Sequence, residues 1–343
     1  MREYSNVEHL SFDDILLVPQ RSGIASRKDV SLRSTIGRTT KRAIGLNVPM
    51  IAAPMDTVCE WQMAVAMRKA GGLGIIHRYM TIENQAEQIK LAAADAQVVG
   101  GSVGTKGAFV ADAATLVDAG ASLILVDTAN GHNDHVVDAV KKLRNSFGRD
   151  VHIMAGNVST WDGYGRLADA GADSVRVGIG GGSACTTRIV SGHGVPTLAS
   201  IMDIRNNFKF GDGPDIIADG GIRNSGDAAK ALAAGANAVM VGRMLAGTQE
   251  SPGEIVEGKK VFRGMASAEA QADGLGVVSG VEGVATTVPF IGSVEDVISD
   301  FAAGLKSALS YAGAEDLVDF HGLSVYNKVS SNSLNETKPH AKE

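Results

Sequence analysis

Short apolar or β-branched runs recur along the chain at Val48–Asp56, Leu73–Arg78, Val98–Gly104, Ser122–Ala129, His152–Val158, Ser174–Gly180, Asp215–Gly221 and Ala238–Met244. Between them, apolar positions fall at helical spacing in Thr81–Ala94, Ala108–Ala119, Asp134–Phe147, Thr160–Ala170 and Gly226–Ala234. Strands alternating with helices predict a parallel sheet, and eight such units close into an α/β (β/α)8 barrel. A weak repeat supports this. Asp118-Ala-Gly-Ala, Asp169-Ala-Gly-Ala and Ala233-Ala-Gly-Ala each end a helix and lead into an apolar run, the glycine supplying a left-handed cap. A doubly wound open sheet is the alternative, and the lack of a GxGxxG after the first run counts against it.

Three segments lie outside the repeating units. Residues 1–47 precede the first strand and are expected to cover the bottom or flank of the barrel. Residues 248–289 form an excursion after strand eight, on the face where barrels place their chemistry, and open with an expected hairpin over Glu254–Gly264. The tail 330–343 is polar and reads as disordered, so the expected domain is a single barrel over 1–329.

Composition narrows the functional classes. With 44% hydrophobic residues in 343, the chain can bury one large core and needs no second domain. A net charge of −6, with no basic cluster longer than Arg38–Arg42, leaves no footprint for nucleic acid or an anionic membrane. The N-terminus has no apolar signal-like run and no stretch is long enough to span a bilayer, so a cytoplasmic location is expected. Cys59 and Cys185 are far apart, which argues for reduced thiols rather than a disulfide framework.

The chemistry concentrates on the predicted strand C-termini. Gly178-Ile-Gly-Gly-Gly-Ser-Ala-Cys-Thr-Thr-Arg188 is the loop after strand six, where glycine and small polar residues leave the Cys185 thiol exposed and mobile enough to act as a nucleophile. Cys59, at the start of an apolar helix, reads as packing. After strands seven and eight, Asp219-Gly-Gly-Ile-Arg223 and Gly242-Arg-Met244 bring glycine N–H groups to a phosphate site, with Gly220, Gly221, Gly242 and Arg243 as candidates. Ser183 adds a hydroxyl donor, and Asp219 accepts from ribose hydroxyls. Asp127-Thr-Ala-Asn-Gly131 and Asn157 end strands four and five and point into the mouth, so Asp127, Thr128, Ala129, Asn157 and, after strand two, Arg78 are candidates for a second ligand; capping of the next helix is the alternative for Asp127 and Asn157. In the excursion, Gly264, Met265 and Ser267 are candidates for meeting a purine edge, and Glu269 for an acid or base. The histidines do not cluster at metal spacing, so no transition metal is expected; backbone carbonyls of the Gly180–Cys185 loop suit a monovalent cation.

These motifs, with Ser11-Phe-Asp-Asp-Ile-Leu-Leu-Val-Pro19, Ala53-Pro-Met-Asp-Thr-Val58, Gly156-Asn-Val158, Gly247-Thr and Arg263-Gly-Met265, resemble the IMP dehydrogenase and GMP reductase family from residue 7 to about 325. The resemblance implies a (β/α)8 barrel, a homotetramer and a purine nucleotide monophosphate as substrate, attacked at C2 by Cys185 with Thr187 assisting proton transfer. It implies Asp219 on the ribose, Ser183, Gly221 and Gly242 on the phosphate, Met265 on the base and Asp127 on the nicotinamide nucleotide. Potassium would rest on carbonyls of Gly180, Gly182 and Cys185.

Only Tyr79-Met80 separates Arg78 from Thr81, so the CBS modules that many dehydrogenases insert there are absent. No Arg or Tyr occurs between Gly264 and Val294, whereas the dehydrogenase flap uses an Arg-Tyr pair to activate water. Asp127-Thr-Ala-Asn-Gly131, Thr287–Glu295 and Ser310–Ala314 resemble the reductase. The resemblance therefore implies NADPH-dependent conversion of GMP to IMP; a dehydrogenase without CBS modules and a non-catalytic nucleotide sensor are the alternatives. Three departures stand out: Glu269 lies one residue further from Gly264-Met265 than the reductase acid, Gly181 replaces a usual proline, and Arg243 stands where small residues are usual.

Overall fold

The structure, a computed structural model, describes residues 8–336 except 39, 42, 209–211 and 331. Eight parallel strands form a closed barrel: β1 (Met50–Ala52), β2 (Leu73–Ile76), β3 (Gly100–Val103), β4 (Leu123–Asp127), β5 (His152–Val158), β6 (Ser174–Val177), β7 (Asp215–Asp219) and β8 (Ala238–Val241). Each pairs with its sequence neighbours, and β8 closes on β1 through Val239↔Met50, Met240↔Ile51 and Val241↔Ala52. The expected runs overshot most strands by one to three residues at their ends, because the residues beyond each C-terminus turn into loops of the mouth.

The helices α1 (Trp61–Lys69), α2 (Ile82–Ala96), α3 (Phe109–Asp118), α4 (Asp134–Phe147), α5 (Trp161–Asp169), α6 (Thr197–Asn207), α7 (Ser225–Ala233) and α8 (Val294–Ala312) follow the strands in turn. Thr81, Asn133, Thr160 and Asn224 accept from backbone N–H groups at the starts of α2, α4, α5 and α7. At the three Ala-Gly-Ala junctions the glycine takes positive φ (Gly120 113°, Gly171 98°, Gly235 110°), as the repeat predicted.

Two apolar layers hold the barrel. One lies between strands and helices. The other fills the bore with Ile51, Ile75, Leu125, Met154, Ile217 and Met240, joined by Ile36, Ile44 and Leu46 from an antiparallel hairpin, Ser34–Ile36 with Ile44–Leu46. That hairpin plugs the N-terminal end, where Gly37 N–H donates to Asp215 (2.7 Å) and Ser34 Oγ to the Asn237 carbonyl (2.7 Å). Ile15–Leu17 pairs with Tyr326–Lys328, tying the two ends of the described chain together.

The excursion differs from expectation in its pairing. The turn at Glu257-Gly258, both at positive φ, makes one bridge between Val256 and Lys259, but the strand Lys259–Arg263 pairs along its length with Ala285–Pro289 instead of Glu254–Val256. The distant pairing buries Phe262 and Val288, whereas Ile255 and Val256 stay exposed. In the tail expected to be disordered, Ser333–Glu336 forms a helical turn, and residues 331 and 337–343 lie outside the described residues. Among the described residues, no helix is long and apolar enough to cross a membrane.

Candidate active site

The C-terminal mouth of the barrel opens into a cavity of about 970 Å³, large for a ligand pocket. The loop after β6 enters it from one side. Gly178 leaves β6 at φ 143°, and a Cβ there would overlap the Asp219 carbonyl oxygen, so only glycine fits at the base of the loop. The Cys185 N–H closes a tight turn onto the Gly182 carbonyl (3.1 Å), while Ser183 and the thiol face the cavity. Cys59 has the opposite fate: it is fully buried against α1, and burial pushes its thiol well above the usual range.

The excursion folds over this loop as a second layer. Val284 N–H donates to the Ala184 carbonyl (3.0 Å) and Thr186 N–H to the Glu282 carbonyl (2.9 Å), so residues 282–284 run as a strand-like partner of 184–186. Gly264 N–H donates to the Val284 carbonyl (3.1 Å) and Glu282 N–H to the Ala266 carbonyl (3.0 Å), adding a third layer. Close stacking needs glycine here: a Cβ on Gly264 would lie 2.8 Å from the Ala184 carbonyl oxygen.

This pairing sets a three-residue line. Cys185 Sγ lies 3.1 Å from Thr187 Oγ1, and Thr187 Oγ1 donates to Glu282 Oε2 at 2.6 Å. Thr187 thus stands in hydrogen-bonding reach of both a thiol and a carboxylate, the arrangement a proton relay requires. Glu269, expected as an acid or base, is exposed in the first turn of the helix Ala268–Leu275 and lies outside the cavity lining. The expectation for Ser267 is corrected. It is fully buried and caps the same helix by accepting from Ala270 N–H (3.2 Å), so its hydroxyl is not presented to a ligand.

The other candidates gather around the cavity. Gly220, Gly221, Gly242, Arg243, Gly264 and Met265 line it with Ser183 and Asp219 on the β6–β8 side. Across the ring, Asp127, Thr128, Ala129, Asn157 and Arg78 line it from β2, β4 and β5. Neither Asp127 nor Asn157 caps a helix; Asn133 and Thr160 do that. Gly180 and Gly182 sit on the lining as well.

Two residues were missed: Glu282, which completes the line from Cys185, and Arg176. Arg176, on β6 and only 8% exposed, donates to Asp127 Oδ1 (2.6 Å) and to Asp219 Oδ2 (2.9 Å). Asn157 Nδ2 donates to the same Asp219 oxygen (2.7 Å) and to the Gly178 carbonyl (2.8 Å). Burial works against the Arg176 charge, but the two carboxylates outweigh it and raise its pKa.

Residues 9–340 match the family model described as the IMP dehydrogenase/GMP reductase domain. The chain belongs to this family. Family members are oxidoreductases of purine nucleotides that use a nicotinamide cofactor. The chain is 32% identical to the inosine-5'-monophosphate dehydrogenase of Nitrosopumilus maritimus, covering 97% of this chain and 98% of that protein. It is 30% identical to the GMP reductase of Leishmania major, covering 97% of each. Among solved structures, a cysteine-to-alanine variant of the GMP reductase from Trypanosoma brucei, in complex with guanosine 5'-monophosphate, superposes with a TM-score of 0.91 at 27% identity, over 99% of both chains. The (β/α)8 barrel expected from the sequence is the fold this family member adopts.

Proposed function

We propose that the chain catalyses the NADPH-dependent reductive deamination of GMP to IMP and ammonia. The observation that carries this reading is the contact of Thr187 Oγ1 with both Cys185 Sγ and Glu282 Oε2. Expelling an amine from C2 of a purine needs a nucleophile at C2 and a proton for the leaving nitrogen, and this line of residues supplies both. Oxidation of IMP would instead need a group to activate water, and Gly264–Val294 contains no Arg or Tyr. The Trypanosoma brucei neighbour binds guanosine 5'-monophosphate, which supports a purine nucleotide monophosphate as ligand.

In this mechanism Cys185 Sγ bonds to C2, and its proton passes through Thr187 Oγ1 to Glu282. The Thr187–Glu282 pair returns protons to the exocyclic nitrogen, the C2–N bond breaks, and ammonia leaves. When bound, the reduced nicotinamide supplies a hydride to C2. The Cys185–C2 bond then breaks and IMP departs; in sum GMP, NADPH and two protons give IMP, NADP⁺ and ammonium. Asp219 holds the ribose through Oδ1, which accepts from no described residue, and Ser183 with the N–H groups of Gly221 and Gly242 holds the phosphate. Asp127, Thr128, Ala129 and Arg78 hold the cofactor across the ring; the breadth of the cavity, from β4 to β8, fits two ligands side by side. The Gly180 and Cys185 carbonyls accept from no described residue, and with Gly182 they suit potassium, which would stiffen the loop.

The second reading, oxidation of IMP with NAD, draws on relatives bearing that name at 32–34% identity. The deciding experiment follows absorbance at the reduced-cofactor band with GMP, NADPH and potassium, and in parallel with IMP and NAD. Loss of signal with GMP supports the reductase; growth of signal with IMP overturns it.

A further inference from the structure

The position of Arg176 assigns it a task beyond the proton relay. Its guanidinium is the only described group that bonds both carboxylates of the mouth: Nη1 to Asp127 Oδ1 at 2.6 Å, Nη2 and Nε to Asp219 Oδ2 at 2.9 and 3.3 Å. Asp127 ends β4 and Asp219 ends β7, three strands apart in the ring, and Arg176 reaches both from β6. Each carboxylate keeps further capacity: Asp219 Oδ1 accepts from no described residue, and Asp127 Oδ2 has only Arg78 Nε, at 3.5 Å. One buried cation therefore sets the direction of two acceptors that face different ligands.

We infer that Arg176 is a positioning residue that couples the nucleotide and cofactor subsites, holding Asp219 for the ribose and Asp127 for the cofactor as one unit. The inference rests on the proposed placement of the two ligands. A planar fork can serve two carboxylates at once, whereas a lysine ammonium is a point charge on a flexible stem and favours one. With the guanidinium removed, Asp127 keeps only Arg78 and Asp219 only Asn157 among the described residues, so nothing charged holds the two carboxylates in one arrangement. A change made at Asp219 reaches the Asp127 carboxylate most directly through the shared guanidinium, so the effect on the cofactor is expected to depend on Arg176 being present.

The test measures binding and not turnover: NADPH by its fluorescence and GMP by calorimetry, on the full chain carrying Asp219→Asn, Arg176→Lys, Arg176→Met and each pair with Asp219→Asn. Asp219→Asn is expected to shift the Kd for NADPH about fivefold or more in the otherwise unaltered protein, and less than about twofold when Arg176 is already Lys or Met. Equal effects of Asp219→Asn in every background would overturn the coupling. Should Arg176→Met not fold, Arg176→Lys carries the cycle alone. Failure of the unaltered protein to bind GMP or NADPH would overturn the nucleotide reading and the inference with it, an outcome distinct from binding without coupling.

Discussion

Thr187 Oγ1 and Glu282 Oε2 lie 2.6 Å apart although 95 residues separate them, one on the loop after β6 and the other on the excursion after β8. The contact exists because 282–284 pairs by backbone with 184–186, so the excursion after β8 delivers the carboxylate to the loop after β6.

The relay gives the sharpest prediction. Glu282→Gln keeps the shape and the hydrogen bond to Thr187 but cannot exchange the proton. It is expected to lower kcat for GMP by about a hundredfold or more while GMP binding changes less than about twofold. Glu269→Gln, on the exposed turn, is expected to leave kcat within about twofold. Steady-state kinetics on both variants check the assignment, and a larger loss in Glu269→Gln would reverse it.

Arg243 lines the cavity beside Gly242, is exposed, and forms no ion pair with any described residue. A guanidinium at the phosphate end adds attraction for the nucleotide dianion before and after chemistry alike, so it acts on binding and not on rate. Arg243→Ser is expected to raise KM for GMP about tenfold, with kcat unchanged and with weaker dependence of KM on salt. A fall in kcat at constant KM would remove Arg243 from the phosphate site.

At the opposite end of the barrel, burial raises Asp215 from the ordinary 3.8 to about 6, with the Gly37 N–H partly offsetting it. The folded state therefore holds this proton more tightly than the unfolded chain. Stability that Asp215 contributes below about pH 4 is lost as pH rises through about 6. Asp215→Asn keeps an acceptor for Gly37 and removes the penalty, so it should stabilise the protein above about pH 6, by up to about 3 kcal/mol, and do little at pH 4. Melting temperatures of both proteins across that range decide it; parallel curves would show that Asp215 does not titrate there.

Gly178 carries the cysteine loop at φ 143° against the Asp219 carbonyl. Any side chain must push β6 and β7 apart at the mouth. Gly178→Ala is expected to cost about 2–3 kcal/mol and to lower the melting midpoint by several degrees, with loss of nucleotide binding. An alanine variant with unchanged midpoint and GMP affinity would show that the loop has another way to leave the strand.

Much of the site was readable because its parts are local. Cys185, Thr187 and Ser183 lie on one glycine-rich loop, and Asp219-Gly-Gly and Gly242-Arg follow two successive strands, so knowing the strands was enough to bring them to one rim. Ser267 carried a signal for its true role, since it directly precedes a helical run, the position of an N-cap. Arg176 also had one: a charged residue inside the apolar run Ser174–Val177 has no reason to be buried unless it is paired. Glu282 is the one acid between Asp273 and Glu295, yet nothing local ties it to Thr187.

The amino-acid sequence by itself determined the eight strand–helix units, the positive-φ glycines at their junctions and the strand ends where the thiol, the glycines and Asp127 sit, because hydrophobic period and backbone freedom act over a few residues. Tertiary structure alone decided that Lys259–Arg263 pairs with Ala285–Pro289, that Glu282 and not Glu269 meets Thr187, and that Arg176 joins Asp127 to Asp219. Each of these joins segments distant along the chain, and which partner wins depends on the apolar surface buried and the charges compensated when the whole barrel closes.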